Sequence, residues 1–509
     1  MTPEATAPLF PTPLRRLMLI IMTLLVSVIM GQALIGSWNQ PQVASRLELY
    51  QTDLLLQATE WEGNGFPPEQ VELLRQNLLG EAPLTKAQDA YTEVRATATK
   101  ILAGADGNAP VTQDRRLQSA YKEQAELLDV LDLRLGILQA EQGDTAAAIA
   151  AWQTLQSRRS NGSPLWQTAQ VLTDLWQGGK VEPDSDRLLT DTLNGWFRNR
   201  ALTQFYIQTD QGAVLDQLYL AEQQRAETTL VTLALVGAVP VIGCVLGIAL
   251  LVGLLWQRLQ QGAKSLLARH GNQPWETPWA GETIWQVLVV GFLFSGQIMV
   301  PLLISPLGGV LNSFGSRGRA FYALLYYVFM AVLAIAVLAI SIRPYRPLPK
   351  GWFEFKLSGS AWLWGVGGYL VALPLMLAVS LANQQLWQGQ GGSNPLLQTV
   401  LEAQDPITLG VFFFTAAIAA PLFEEFLFRG FLLPSLTRYM PVGGAIALSS
   451  LIFAAAHLSL SEVLPLMVLG MVMGVVYTRS RNLVAPMVLH SAWNGITMLG
   501  LFLLGSSAN

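Results

Sequence analysis

The sequence predicts an all-α polytopic membrane protein, a bundle of about nine transmembrane helices with an inserted extracytoplasmic α-helical domain. Of the 509 residues, 51% are hydrophobic and 13% are charged, and mean hydropathy is positive, as in membrane proteins. The charged residues are concentrated in the middle of the chain, whereas long apolar runs flank it. We therefore expect an anchor span at 1–36, a soluble helical domain at 37–228, transmembrane helices at 229–400 and a C-terminal membrane core at 401–509.

The first apolar run, Leu17 to Gly36, follows Arg15 and Arg16 and is long enough to cross a bilayer. A cleavable secretory signal peptide is the alternative. The run is longer than the apolar core of a typical signal peptide, and no clear small-x-small cleavage site follows it. These features favour an uncleaved anchor.

Residues 37–228 have a water-compatible helical pattern, interrupted by turn sequences such as "GNGFPPE" and "RSNGSP". Leu133 to Gln156 resembles one tetratricopeptide repeat, with Leu135, Gly136, Ala148 and Trp152 at its packing positions. Gln139 stands where that repeat expects tyrosine, and no second copy follows at the repeat period. An ordinary helical hairpin therefore stays an equal alternative, and in either case the domain can dock a protein partner or present a substrate.

Eight further apolar runs follow the soluble domain, and each is a candidate span. Gly243 with Gly247, and Gly470 with Gly474, provide small faces for close helix packing, although membrane helices are rich in glycine in any case. The runs begin near Leu230, Ile284, Phe321, Ala361, Ile407, Val442, Val463 and Val484.

Basic loop residues orient the predicted spans. With nine spans, most of the basic loop residues fall on one side of the membrane. This places the N-terminus in the cytoplasm and makes the soluble domain extracytoplasmic. The loops on the cytoplasmic side contain Arg258, Lys264, Arg269, Arg343, Arg346, Lys350, Lys356, Arg438, Arg479 and Arg481.

The composition also excludes several classes of protein. The single cysteine, Cys244, rules out an internal disulfide framework and a cysteine-rich metal site. The net charge of −4 and the lack of a sustained basic stripe argue against nucleic acid as a partner. After Thr228 the only aspartate is Asp405, so a pair of intramembrane aspartates for an aspartyl protease is absent. The sequence also lacks a nucleophile-elbow serine and a His-Glu-x-x-His zinc motif.

Six polar residues within the C-terminal apolar runs are candidates for chemistry, because ionisable groups in membrane spans are rare and usually functional. Glu425 and Arg429 are four residues apart and can pair along one helix face. Glu424 points about 100° away from Glu425 and is available as a general base for water or as a metal ligand. The candidates are Glu424, Glu425, Arg429, His457, His490 and Asn494.

His490 and Asn494 are also four residues apart, so one helix face presents an imidazole and an amide. In a hydrolase, the histidine can bind metal or water and the amide can stabilise an oxyanion. His457, in "FAAAH", supplies a second imidazole. Counting along the runs places His457 nearer the outer surface than the other two groups. For the three to meet, as we expect, the span boundaries near Pro441 must differ from those counted.

These motifs resemble the CPBP family, which groups type II CaaX prenyl endopeptidases with bacteriocin-processing and lysostaphin-resistance proteins. The resemblance rests on Glu-Glu-x-x-x-Arg (Glu424, Glu425, Arg429), Phe-x-x-x-His (Phe453, His457) and His-x-x-x-Asn (His490, Asn494), in that order, within about Ile407 to Leu504. It implies that residues 401–509 are an intramembrane endopeptidase core in which Glu424 activates water. His457 and His490 are then its partners, and Asn494 supports the oxyanion.

The resemblance leaves the metal open, because the glutamate–water arrangement works with or without Zn²⁺ held by Glu424, His457 and His490. It implies membrane lipid and a membrane-protein or peptide substrate as partners. The alternative function is a non-proteolytic scaffold or chaperone that binds partners through residues 37–228, with Glu424, Glu425 and Arg429 serving only to hold helices together. A transporter is weaker, because no paired halves with matching interruptions are visible.

Overall fold

A computed structural model describes residues 12–38, 43–63, 65–108, 115–357, 359–387, 391–392 and 405–507. Throughout these residues the regular structure is helical, which confirms the all-α prediction. They form two compact units. The membrane unit contains the N-terminal helix and Val239–Phe502, and the helical unit contains Ala44–Ala238.

The helical unit is built from helices of different lengths around buried leucine and aromatic side chains. A long helix, α10 (Gly212–Gln261), contributes its first half to this unit. The preceding helices are α2 (Val43–Thr59), α3 (Pro68–Leu79), α4 (Pro83–Asn108), α5 (Arg115–Glu141), α6 (Thr145–Arg158), α7 (Pro164–Gln177), α8 (Ser185–Thr192) and α9 (Gly195–Gln208).

The predicted hairpin is formed by α5 and α6. Trp152 is fully buried, and its indole Nε1 donates to the Leu133 carbonyl at 3.2 Å. A Cβ at Gly136 would lie 2.2 Å from that Nε1, so only glycine allows the indole to pack there. Asp144 caps α6 by accepting from the Ala147 amide at 3.0 Å. These contacts account for a helical hairpin, and the tetratricopeptide likeness stays a prediction.

The membrane unit consists of long apolar helices. Two of them contain wider π-helical turns, at Val287–Met299 in α11 and at Thr415–Ala419 and Phe426–Leu432 in α14. Besides the end of α10, the helices are α1 (Thr12–Ser37), α11 (Gly281–Leu311), α12 (Gly315–Ile342), α13 (Gly359–Trp387), α14 (Pro406–Leu436), α15 (Val442–Ala455), α16 (Leu460–Ser480) and α17 (Val484–Ser507).

Seven helices within the described residues are long and apolar enough to cross a membrane, so the protein is an integral multi-pass membrane protein. They are α1, α10, α11, α12, α13, α14 and α16. The 14-residue helix α15 is only about 21 Å long at 1.5 Å per residue, which is less than the hydrocarbon core of a bilayer. Helix α17 is not among the seven, so the count of nine spans stays a prediction.

The predicted glycine faces lie at close helix contacts. A Cβ at Gly247 would lie 2.0 Å from the Leu370 carbonyl oxygen, which brings α10 and α13 together. Cβ atoms at Gly470 and Gly474 would each lie 2.9 Å from a side chain of α15, Ser450 and Ile446 respectively. Because van der Waals packing drives helix association in lipid, these glycines fix α15 tightly against α16.

Candidate active site

Helix α14 carries the two adjacent glutamates between its two π-helical stretches. It begins at Asp405, whose carboxylate caps the helix by accepting from the Thr408 amide at 2.9 Å. A bidentate hydrogen bond from Arg317 holds the pKa of Asp405 well below its usual range. Beyond the first π stretch, the short α-helical segment Ala420–Glu425 presents the glutamates to the bundle interior. Such π turns are frequent at functional sites.

Glu425 forms the predicted pair with Arg429. Arg429 Nη1 donates to Glu425 Oε1 at 2.8 Å, and the two side chains are 1% and 0% exposed. Arg429 Nη2 donates to the Gly470 carbonyl at 3.0 Å, and its guanidinium carbon lies 4.8 Å from the centre of the Phe453 ring. The cation is therefore held by a carboxylate, a backbone carbonyl and an aromatic face, which bind α14 to both α15 and α16.

His490 connects α17 to both glutamates. Its Nδ1 lies 2.8 Å from Glu425 Oε1, a hydrogen-bond distance, and its Nε2 lies 3.9 Å from Glu424 Oε2. If Nδ1 carries the proton and donates to Glu425, Nε2 keeps a lone pair directed toward Glu424. The 3.9 Å gap is too long for a direct hydrogen bond, but one water bonded to both atoms would span it.

Glu424 is oriented by a residue that the sequence analysis missed. The hydroxyl of Tyr327, on α12, donates to Glu424 Oε1 at 3.1 Å and lies 3.4 Å from the Ala420 carbonyl. The Glu424 side chain is 14% exposed, whereas that of Glu425 is fully buried. Tyr327 lies in an apolar run separated from the motifs by about a hundred residues, and only its phenol marks it as a candidate.

His457 follows the end of α15 and is the second imidazole near this cluster. Its Nδ1 lies 2.9 Å from the Phe453 carbonyl, and its ring centre lies 4.9 Å from that of Phe453. The Phe453 ring also lies 5.9 Å from the His490 ring. Phe453 therefore separates and positions the two imidazoles. Because α15 is too short to span the membrane, the depth that we counted for His457 from a full span does not apply.

Asn494 lies one turn beyond His490 on α17. Its Nδ2 donates to the Ala416 carbonyl at 2.8 Å, within the first π stretch of α14. Since an amide nitrogen carries two hydrogens, the second is not used by this bond. Asn494 thus braces α17 against α14 and retains one donor.

In the described residues, no group of three histidine, cysteine, aspartate or glutamate side chains is placed to hold a metal ion. The Nδ1 atoms of His457 and His490 face the Phe453 carbonyl and Glu425. Zinc held by Glu424, His457 and His490 stays a prediction.

Comparisons with known proteins agree with the motifs. Residues 406–496 match the family model described as type II CAAX prenyl endopeptidase Rce1-like. The chain is 22% identical over 223 residues to the membrane-embedded CAAX protease MroQ of Staphylococcus aureus (strain USA300), a match covering 42% of this chain and 89% of MroQ.

The chain is also 23% identical over 171 residues to a Bacillus subtilis (strain 168) protein named as the membrane peptidase YdiL. This match covers 34% of the chain and 68% of YdiL. No solved structure matches. All six predicted site residues fall inside the family match. The resemblance to the CPBP family is thus confirmed for the C-terminal core, and the protein is a CAAX-type intramembrane protease.

Proposed function

We propose that this endopeptidase hydrolyses peptide bonds of membrane-associated proteins or peptides with a water molecule activated by Glu424. The observation that supports this most directly is the 3.9 Å gap between Glu424 Oε2 and His490 Nε2. A water in this gap donates one hydrogen to the carboxylate and the other to the imidazole, which leaves an oxygen lone pair for attack.

In this mechanism Glu424 accepts the proton of the water as the water oxygen attacks the scissile carbonyl carbon. The oxyanion that forms accepts a hydrogen bond from the second Nδ2 hydrogen of Asn494. Glu424 then passes its proton to the departing amine as the carbon–nitrogen bond breaks. His457, fixed at Nδ1 by the Phe453 carbonyl, places the water or the carbonyl through its Nε2.

Glu425 and Arg429 have a different task in this proposal. Arg429 pairs with Glu425 within the bundle, and Glu425 holds His490 in the tautomer whose Nε2 accepts from the water. Loss of the pair would therefore misplace the imidazole even though neither side chain touches the substrate.

The substrate class follows from where the site lies. Glu424 lies within an apolar membrane helix, so a peptide reaches it laterally from the bilayer or from one membrane face. We propose that the helical unit is extracytoplasmic and docks or presents substrates. The relative MroQ is named as a CAAX protease, and prenylated proteins are one candidate class of substrate for the protein described here.

The test compares membrane-protein termini in cells that carry wild-type protein or Glu424→Gln at equal abundance. Glu276→Gln, an exposed carboxylate of the same unit, is the matched control. We expect specific termini to disappear with Glu424→Gln and persist with Glu276→Gln. If no terminus changes while proteins still co-purify with the Glu424→Gln variant, the scaffold or chaperone function is correct instead.

A further inference from the structure

A basic cavity lies at one end of the membrane unit, apart from the catalytic cluster. Its volume is about 490 Å³, within the range of ligand-binding pockets. The end of α16, the start of α13 and the loops that precede α11 and α13 form its walls. The charged and titratable side chains of the lining are Arg269, His270, Lys350, Glu354, Lys356 and Arg481.

Positive charge in this cavity is only partly compensated. The one carboxylate of the lining, Glu354, pairs with Lys356 at 2.6 Å. Arg269 and Lys350 have no ion-pair partner among the residues that the structure describes. Together with Arg481, these two residues place three cations around the cavity in addition to the Glu354–Lys356 pair. This arrangement favours binding of an anion.

Arg481 is held in place without a carboxylate. Its guanidinium carbon lies 3.5 Å from the centre of the Trp275 ring, and Nη2 donates to the Gln273 carbonyl. Trp275 in turn stacks on Tyr477, with ring centres 5.4 Å apart. The Arg481 Nε is buried and has no hydrogen-bond partner in the described part of the chain. A fixed guanidinium with unused donor capacity suits a phosphate oxygen.

Residues Glu354 to Leu357, which lead into α13, indicate how an amphipathic ligand would lie. Glu354 and Lys356 line the cavity, whereas the alternate residues Phe355 and Leu357 are 54% and 75% exposed. On α13, just beyond the cavity residue Ala361, Leu363 is 76% exposed. An anionic group in the cavity would therefore have apolar surface beside it on the membrane side.

We propose that this cavity binds the phosphate-bearing headgroup of an anionic phospholipid, whose acyl chains lie along the exposed apolar residues of α13. Basic pockets at the ends of transmembrane helices are suited to such headgroups. Free phosphate offers the same anionic chemistry but has no acyl chains to contact the neighbouring apolar surface. A lipid at this position would be a structural or regulatory ligand bound away from Glu424.

The test measures lipid retention by the detergent-purified full-length protein, using native mass spectrometry after addition of dioleoylphosphatidylglycerol or dioleoylphosphatidylcholine. The cavity variant carries Arg269→Ala and Lys350→Ala. The matched control carries Arg258→Ala and Lys264→Ala, which remove two exposed cations outside the cavity, one in the last turn of α10 and one in the turn that follows it. Removing one cation near an anionic lipid costs about fivefold in binding, so the cavity variant, which lacks two, should retain the phosphatidylglycerol roughly 25-fold less well.

We expect the control, and the Glu424→Gln variant, to retain phosphatidylglycerol as the wild type does. Equal losses in the cavity and control variants, or equal retention of the two lipids, would overturn the proposal. In a competition arm, sodium phosphate or glycerol phosphate should leave the bound lipid in place. Displacement at equimolar concentration would identify a soluble phosphate as the ligand instead. Unchanged thermal unfolding midpoints of the variants without lipid exclude misfolding as the cause.

Discussion

The hydroxyl of Tyr327 donates a 3.1 Å hydrogen bond to Oε1 of Glu424 and thereby fixes the glutamate whose Oε2 faces His490. This contact joins α12 to α14 and lies outside the three sequence motifs. Because Oε1 accepts from the phenol, Oε2 is the oxygen that accepts a proton from water in the mechanism that we propose.

Tyr327→Phe should lower kcat about tenfold while KM stays nearly constant, because a positioning hydrogen bond to the general base is lost. The matched control is Tyr326→Phe, which removes a 2.6 Å hydrogen bond to the Gly296 carbonyl from the next residue of the same helix. Rates would be measured on a substrate identified by the comparison of termini. Equal losses of activity in the two variants would show that the phenol at 327 only stabilises the bundle.

Removal of the buried cation should be costly. Arg429→Met leaves Glu425 buried without its counter-charge, and we expect a destabilisation of about 3–5 kcal/mol. The double variant Glu425→Gln with Arg429→Met should be destabilised by less than the sum of the two single changes, since it leaves no unpaired charge. Unfolding in detergent micelles measures both. Additive losses would mean that the two side chains are not energetically coupled.

Asn494→Ala separates two roles for the amide. An oxyanion donor predicts a fall in kcat of roughly a hundredfold, whereas loss of the hydrogen bond to Ala416 alone predicts a destabilisation of about 1 kcal/mol with nearly normal kcat. Measured together, kcat and the unfolding midpoint decide between them. We expect the large fall in kcat. An amide with a purely structural role would show only the lower unfolding midpoint.

Removal of divalent metals tests the zinc alternative. In the described residues no three side chains form a ligand set, and Glu424 with His490 can place a water unaided. We expect the purified enzyme to retain most of its activity after treatment with a chelator and dialysis, and to contain zinc well below one equivalent. Activity that is lost and then restored by Zn²⁺ alone would establish a metal-assisted mechanism.

The sequence predicted the local part of this site well, because helix geometry is set by neighbouring residues. The four-residue spacing sufficed to predict the Glu425–Arg429 pair, and the family match covers all six candidates. Contacts between distant helices could not be predicted in the same way. The hydrogen bonds from Tyr327 to Glu424 and from Asn494 to Ala416 depend on how α12, α14 and α17 pack.

The short length of α15 also could not be predicted from the number of consecutive apolar residues. Its residues are as apolar as those of a span, so hydropathy alone predicted a crossing near Val442. In the structure α15 ends at Ala455, and His457 follows at a turn in which Leu458 has a positive φ of 58°. Gly470 and Gly474 let α15 lie tightly against α16, a contact that hydropathy along the chain does not record.

The Glu425–Arg429 pair also bears on how the membrane unit is assembled during synthesis. Both charges belong to one helix, so α14 can enter the bilayer with its own counter-ion, at lower cost than with a bare carboxylate. Glu424 forms no ion pair with a residue of α14, a helix that the structure describes throughout. Its first partner, Tyr327, is on α12, which is synthesised earlier, and His490 is on α17, which is synthesised last. The order of the helices in the chain therefore makes Tyr327 available to Glu424, the proposed general base, before His490 is synthesised.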